Sequence, residues 1–141
     1  MTNPALLAPI PVPDPDSAPF WNALMDGKLM LCRCDDTGKW IHPPLERSRF
    51  TGGPVHFEQV SGAGTIFSYI VVRQPLVPGR MPPYVIGIVE LAEQPGLRIS
   101  AVIAADPAAV RIGQPVTMRI VDLGEGGYRV PEFVPADADG S

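Results

Sequence analysis

Phe20, Trp21, Leu24 and Met25 stand at i, i+1, i+4 and i+5, the spacing of one helix face. Asp16 or Ser17 can cap this helix, Pro19 suits its first turn, and Gly27 ends it. Elsewhere the apolar positions come in short runs bounded by glycine and proline, a pattern that predicts strands. Leu29 to Arg33 and Lys39 to His42 read as two short strands either side of a turn. From residue 55 onward strands dominate. They are Val55 to Val60, Thr65 to Val72, Tyr84 to Leu91, Leu97 to Ala104, Val116 to Leu123 and Tyr128 to Phe133. Ser61 to Gly64 reads as a flexible turn and Gly87 as a bulge or a sharp barrel bend. Asp106 to Val110 reads as a single helical turn, with Asp106 as cap and Pro107 at its first position.

Closely spaced strands without long helices predict a mainly β chain built around a small five-stranded barrel, for which an OB-fold is the natural candidate. The expected organisation is an extended proline-rich arm over 1–15, the helix and a turn-rich segment over 16–54, the barrel over 55–135 and a tail over 136–141. Gln74 to Pro83, with four prolines and a glycine, reads as a loop. Its Leu76, Val77 and Met81 make it apolar for a surface segment, which marks it as a partner contact or the lining of an acyl channel.

Composition narrows the function. The chain has 141 residues, 45% of them hydrophobic, enough to bury a core. A net charge of −4 argues against nucleic acid as the main partner, since phosphates call for a basic face. No apolar run approaches the length of a membrane span, and the proline-broken start lacks the basic region of a signal peptide. Cys32 and Cys34, the two cysteines present, are too close for an unstrained mutual disulfide, so a reducing cytoplasm is the expected setting.

The most informative segment is 34–52. Cys34 and Thr37 precede Gly38, and Ser48 and Thr51 precede Gly52, with ten residues between the pairs. Two such glycine-closed turns have the shape of a zinc ribbon, whose metal would want thiolates at 34, 37, 48 and 51. One cysteine, two threonines and a serine stand there instead, and neutral hydroxyls are poor zinc ligands.

The order of parts adds specificity. Phe20-Trp21 precedes Gly27, Leu29, Leu31, Arg33 and Cys34; then come Pro43-Pro44, and Val60-Ser61-Gly62-Ala63-Gly64-Thr65. Pro82-Pro83-Tyr84-Val85, Val89-Glu90-Leu91, Ile112-Gly113 and Pro131-Glu132-Phe133 follow. Over roughly residues 14 to 135 the chain resembles the acyl-CoA-associated OB-fold family, in which a rubredoxin-like zinc ribbon precedes the barrel. The resemblance implies a non-catalytic subunit that works with a thiolase, acyl-CoA synthase, aldolase or hydratase and helps form a coenzyme A thioester site. It also implies that the family's four cysteines map onto Cys34, Thr37, Ser48 and Thr51, and that the arginine often found after the two prolines is Leu45 here, with Arg47 and Arg49 close by.

Other sites compete with plainer readings. Arg47, Arg49, Arg73 and Arg80 are the candidate coenzyme A phosphate contacts, against the reading as solvated loop charge. Cys32, Cys34, His42 and His56 are the whole supply of sulfur and imidazole for a rebuilt zinc site. Their spacing matches no common one, and the plainer reading makes Cys34 a buried small residue and both histidines surface or turn residues. A Cys–His nucleophile pair is disfavoured because Asp35 and Asp36 should raise the Cys34 pKa. Phe20 and Trp21 are expected to pack the helix on the ribbon, and Trp40, Ile41 and Phe50 to pack the knuckle. The expected protein is thus an accessory subunit of a thiolase-like or other acyl-CoA enzyme, without catalytic residues, tightly bound cofactor or zinc, with a homodimer allowed. The alternatives are a stand-alone acyl-CoA or small-ligand module and a single-stranded nucleic acid binder.

Overall fold

The computed structural model describes residues 14–74, 81–122 and 129–136. Most of the expected arm, Arg80 with Leu76 and Val77, the 124–127 turn and most of the tail lie outside the described residues. One helix, α1 (Ala18–Met25), is followed by eight strands among the described residues. These are β1 (Met30–Cys34), β2 (Trp40–Ile41), β3 (Val55–Gln59), β4 (Ala63–Val72), β5 (Tyr84–Leu91), β6 (Arg98–Ile103), β7 (Pro115–Asp122) and β8 (Arg129–Pro135).

The helix starts as the sequence suggests, with Ser17 as its N-cap residue. Ser17, however, turns its side chain outward: its hydroxyl accepts from Asp14 N–H, while Ser17 N–H donates to the Asp14 carboxylate at 2.7 Å. Gly27 follows the helix at φ 80°.

Strands β4 to β8 close into a barrel in the order β4-β5-β6-β8-β7, with β7 returning to β4. All neighbours are antiparallel except β6 and β8, which run parallel. This is the predicted five-stranded OB-fold. The remaining strands form a separate sheet in the order β2-β1-β3. Val55–Gln59 therefore pairs with β1 over five residues, from Met30↔Gln59 to Cys34↔Val55, and not with the barrel that was expected to begin at residue 55. A run's apolar pattern shows that it is a strand but not which strand it pairs with.

Gly87 is likewise not a bulge: it sits in regular register opposite Tyr69 and Ala101. A side chain there would put its Cβ 2.7 Å from Ile103 Cγ1, so the position needs glycine for packing. The irregularity lies in β4, between Ile66 and Ser68, and leaves Phe67 outward with the Arg98 guanidinium 3.6 Å above its ring.

One core unites the parts. Phe20 and Leu24 of α1, Leu31 and Trp40 of the small sheet, and Ile66, Val89 and Phe133 of the barrel belong to a single buried cluster. β1 is buried on both sides, as the twofold alternation of a strand allows. Leu31 enters this shared core, while Cys32 and Cys34 face a second, smaller core with Ile41. Gln94, in the turn after β5, acts as an additional strand partner for β2. Trp40 N–H donates to its Oε1 at 2.8 Å, and its amide donates to Trp40 O at 3.1 Å.

Candidate functional site: two knuckles without thiolates

β1 runs directly into the first knuckle, and the second occupies residues 48–52. Each is closed in the same way. Gly38 N–H donates to Cys34 O at 2.9 Å, and Gly52 N–H donates to Ser48 O at 2.8 Å. Both glycines sit at φ 73°, in the left-handed region where a side chain is strained. Asp35 N–H to Pro54 O, at 3.1 Å, ties the first knuckle to the chain leaving the second.

The four metal positions of the pattern converge. Thr51 Oγ1 lies 3.9 Å from Cys34 Sγ, and the Ser48 and Thr37 hydroxyls are near enough to the same sulfur to favour its thiolate. Two sulfurs on a tetrahedral zinc with bonds near 2.3 Å would stand about 3.8 Å apart. The spacing of a zinc knuckle is thus kept, but the donors are a thiol and three hydroxyls. Those hydroxyls are also committed to the backbone. Ser48 Oγ, only 4% exposed, accepts from Phe50 N–H at 3.1 Å and Thr51 N–H at 3.3 Å. Thr37 Oγ1 accepts from Lys39 N–H, and Thr51 Oγ1 accepts from Gly53 N–H while donating to Asp36 at 2.8 Å. A metal that needs deprotonated ligands does not fit this set.

Cys34 corrects one expectation. Its pKa is lowered to about 7, not raised by the neighbouring carboxylates, because hydroxyl hydrogen bonds from Ser48 and then Thr37 favour the thiolate and outweigh desolvation. Asp35 and Asp36 are turned elsewhere, towards His56 and Thr51. Burial pushes the Cys32 thiol up. Nor are Cys32, Cys34, His42 and His56 gathered into one site. Among the described residues no three His, Cys, Asp or Glu side chains are placed to hold a metal.

The two histidines differ from each other. His42, expected at the surface or in a turn, packs 5.8 Å from the Phe20 ring, with Nδ1 buried and unpartnered, and burial lowers its pKa. His56 is exposed and lies between two carboxylates, Nδ1 at Asp35 and Nε2 at Glu58, which raise its pKa, Asp35 most. Glu58 also takes Arg33 Nη1 at 2.8 Å, so this network spans β1, β3 and the first knuckle.

Of the four candidate phosphate-binding arginines, the structure brings Arg47 and Arg49 together on the second knuckle and places Arg73 just beyond the end of β4. Arg80 lies outside the described residues. Trp40 and Ile41 pack inside as expected, whereas Phe50 is 40% exposed. Lys39 Nζ and the Arg49 guanidinium each lie 5.0 Å from the Phe50 ring centre. Sequence reasoning missed Lys39, which reaches this ring across ten intervening residues with no local signal. A cavity of about 560 Å³ beside the start of α1 is rimmed by Asp14, Asp16 and Glu46 over Leu45, Val55 and Phe57. Another of about 330 Å³ lies along β4 and β5 beside Glu90 and Gln94. Carboxylates at both make them poor places for a polyanion.

Fold and knuckles together define a class: an OB-fold barrel carrying a rubredoxin-like ribbon. Two family models match in tandem, "ChsH2, rubredoxin-like zinc ribbon domain" over residues 21–47 and "ChsH2, C-terminal OB-fold domain" over residues 57–121. The chain belongs to this ribbon-plus-OB-fold family. It is 39% identical over 110 residues, 77% of its length, to the 3-oxo-4,17-pregnadiene-20-carboxyl-CoA hydratase alpha subunit of Mycobacterium tuberculosis. It is 30% identical over 136 residues, 95% of its length, to a "Probable enoyl-CoA hydratase alpha subunit" of Thermomonospora curvata. The chain spans 34% and 42% of the lengths of these two relatives. Among solved structures, one titled "Ltp2-ChsH2(DUF35) aldolase" superposes with a TM-score of 0.84 at 28% identity, covering 91% of this chain and all of that one. A protein of unknown function from Sulfolobus solfataricus shares the fold, with a TM-score of 0.60 at 14% identity over 86% of this chain and 85% of that one. No helix among the described residues is long and apolar enough to cross a membrane.

Proposed function

We propose that this chain is a non-catalytic subunit that binds and supports an acyl-CoA enzyme, a hydratase, aldolase or thiolase-like partner acting in lipid or steroid metabolism, and helps form its coenzyme A thioester site. The observation that carries this reading is the ribbon–barrel unit, which is like the whole chain solved under a title that pairs it with Ltp2 in an aldolase. Relatives named as hydratase alpha subunits support the same class of partner. The lack of a catalytic role is supported by the polar groups of the knuckles. Cys34 has hydroxyls around it and no imidazole base, and both nitrogens of His56 are held by carboxylates with no nucleophile on either.

In this reading Arg73, just beyond the end of β4, is the phosphate contact among the described candidates. Two free thiols suit a reducing cytoplasm. A nucleic-acid role has less support, because the net charge is −4 and the exposed large apolar side chains of β4 and β5 are Ile70, Ile88 and a single aromatic, Phe67, already covered by Arg98, where a row of stacking aromatics would be needed. The test is co-expression with acyl-CoA hydratase, aldolase and thiolase-like subunits from the same organism, followed by co-purification and assay with and without this chain. The expected result is a stable complex whose solubility or activity depends on the chain. An enzyme that is soluble and fully active alone, with no complex formed, contradicts the reading.

A further inference from the structure

Four arginines of the described residues sit against carboxylates: Arg33 on Glu58, Arg98 on Glu90, Arg119 on Glu132 and Arg129 on Asp122. The cations around the second knuckle do not. Lys39 and Arg49 lean on the Phe50 ring, and Arg47 Nη1 reaches only the carbonyl of Gly52, at 3.4 Å. Of the carboxylates in the same loops, Asp36 accepts from the Thr51 hydroxyl and Glu46 lines the cavity beside α1, and among the described residues neither forms an ion pair with these cations. Two arginines and a 40% exposed phenyl ring at the second knuckle, with Lys39 reaching across from the end of the first, therefore gather on a chain whose net charge is −4.

Nothing in the packing of the ribbon requires this group. Phe50 lies outside both cores, and the turn beneath it is closed by the hydroxyl and glycine hydrogen bonds. Small ligands favour concave, largely apolar pockets, and this apex presents a ring flanked by cations instead. An exposed aromatic ring beside arginine is a composition enriched at interfaces between proteins. Unpaired cations there would steer, and fix the register of, a surface of opposite charge.

We propose that the second knuckle is the docking point for an acidic patch on the acyl-CoA enzyme subunit. The proposal rests on the accessory-subunit reading and adds where contact is made and with what chemistry. Phe50 is the anchor, and Lys39, Arg47 and Arg49 meet the partner's carboxylates. The hydroxyl-bonded turn presents them without a metal.

The test uses the co-purified complex of the full chain with its enzyme subunit, with the dissociation constant measured at about 50 and about 300 mM salt. The double reversal Arg47→Glu with Arg49→Glu is expected to weaken binding at least about tenfold at low salt and to flatten its salt dependence. Phe50→Ala is expected to weaken it about tenfold with the melting temperature unchanged. The same change of charge at exposed Lys28 and Arg111 should leave binding within about twofold, since distant exposed charges are screened. Unchanged affinity in the Arg47/Arg49 double variant overturns the proposal while leaving the accessory role standing. If that variant binds the enzyme normally but loses affinity for free coenzyme A, the knuckle is a phosphate site and the docking proposal is wrong. If the wild-type chain forms no complex at all, the accessory reading fails first and takes the docking surface with it.

Discussion

The barrel and the ribbon reach order by different means. In the barrel, Ile66, Val85, Val89, Ile103, Val116 and Phe133 are all 2% exposed or less, and five strands close without an edge. Among the described residues the ribbon has a small core of Cys32, Cys34 and Ile41, with half-buried Val55 and Phe57 against it. A core that small does not normally hold a fold by itself, and metals or disulfides are the usual supplement. Here the supplement is a set of hydroxyls at three of the four ligand positions, plus attachment to the barrel through Gln94, Trp40 and the shared core around Leu31. The comparison teaches that a metal knuckle contains two separable things, the turn geometry and the metal. In this chain the glycines and hydroxyls retain the first, and the side-chain chemistry gives no support for the second.

The strongest way to sharpen the comparison is to put the thiolates back. A Thr37→Cys, Ser48→Cys, Thr51→Cys variant should bind one zinc per chain with roughly 10 kcal/mol or more of apparent binding free energy at neutral pH. Titration against a coloured chelator measures it. Failure to bind would mean that the four positions do not form a tetrahedron, against the 3.9 Å spacing of Cys34 and Thr51. Next in size is the barrel itself. Phe133→Ala empties a fully buried site between β6 and β7 and should cost about 3–5 kcal/mol in denaturant unfolding, with or without zinc present.

Ser48→Ala should break the ribbon selectively. It removes the acceptor for two N–H groups and a partner of Cys34 at a site only 4% exposed, a loss of about 1–3 kcal/mol. Hydrogen exchange should quicken in 34–53 and not in the barrel. The Cys34 pKa should also rise from about 7 towards its ordinary value, read from thiol alkylation against pH. Equal loosening of both regions would deny that they are stabilised separately.

His56 gives the smallest effect. Its folded pKa is raised by Asp35 and then Glu58, so its contribution is fully present below the unfolded value near 6.5 and fades as pH rises through the higher folded value. The network is exposed, so the change between about pH 5.5 and pH 8.5 should be about 0.5 kcal/mol or less, and His56→Gln should abolish it. Denaturation curves of both proteins at the two pH values decide the matter.

The barrel was legible because its strands are compact runs of β-branched residues between glycine and proline breaks, and their number and approximate bounds follow from that. Pairing was not, so β3 was assigned to the wrong sheet: Val55–Gln59 looks the same whether it joins β1 or a barrel strand. The bulge expected at Gly87 is absent, and the packing reason for glycine there lies across the sheet, at Ile103. In the ribbon, Gly38 and Gly52 announced the turns, and the residues at 34, 37, 48 and 51 announced the missing thiolates. The direction of the Cys34 pKa was hidden, since flanking Asp35 and Asp36 are adjacent in sequence but bonded elsewhere in space. The gathering of Lys39, Arg47, Arg49 and Phe50 was hidden for the same reason: it exists only once the knuckles face each other.

The most direct test of a ribbon that stands without metal is zinc analysis of the purified wild-type chain, joined to thermal unfolding with and without a strong chelator. The account predicts less than about 0.1 zinc per chain and a melting curve that the chelator does not move. About one zinc per chain, with a melting temperature that falls on chelation, would contradict it.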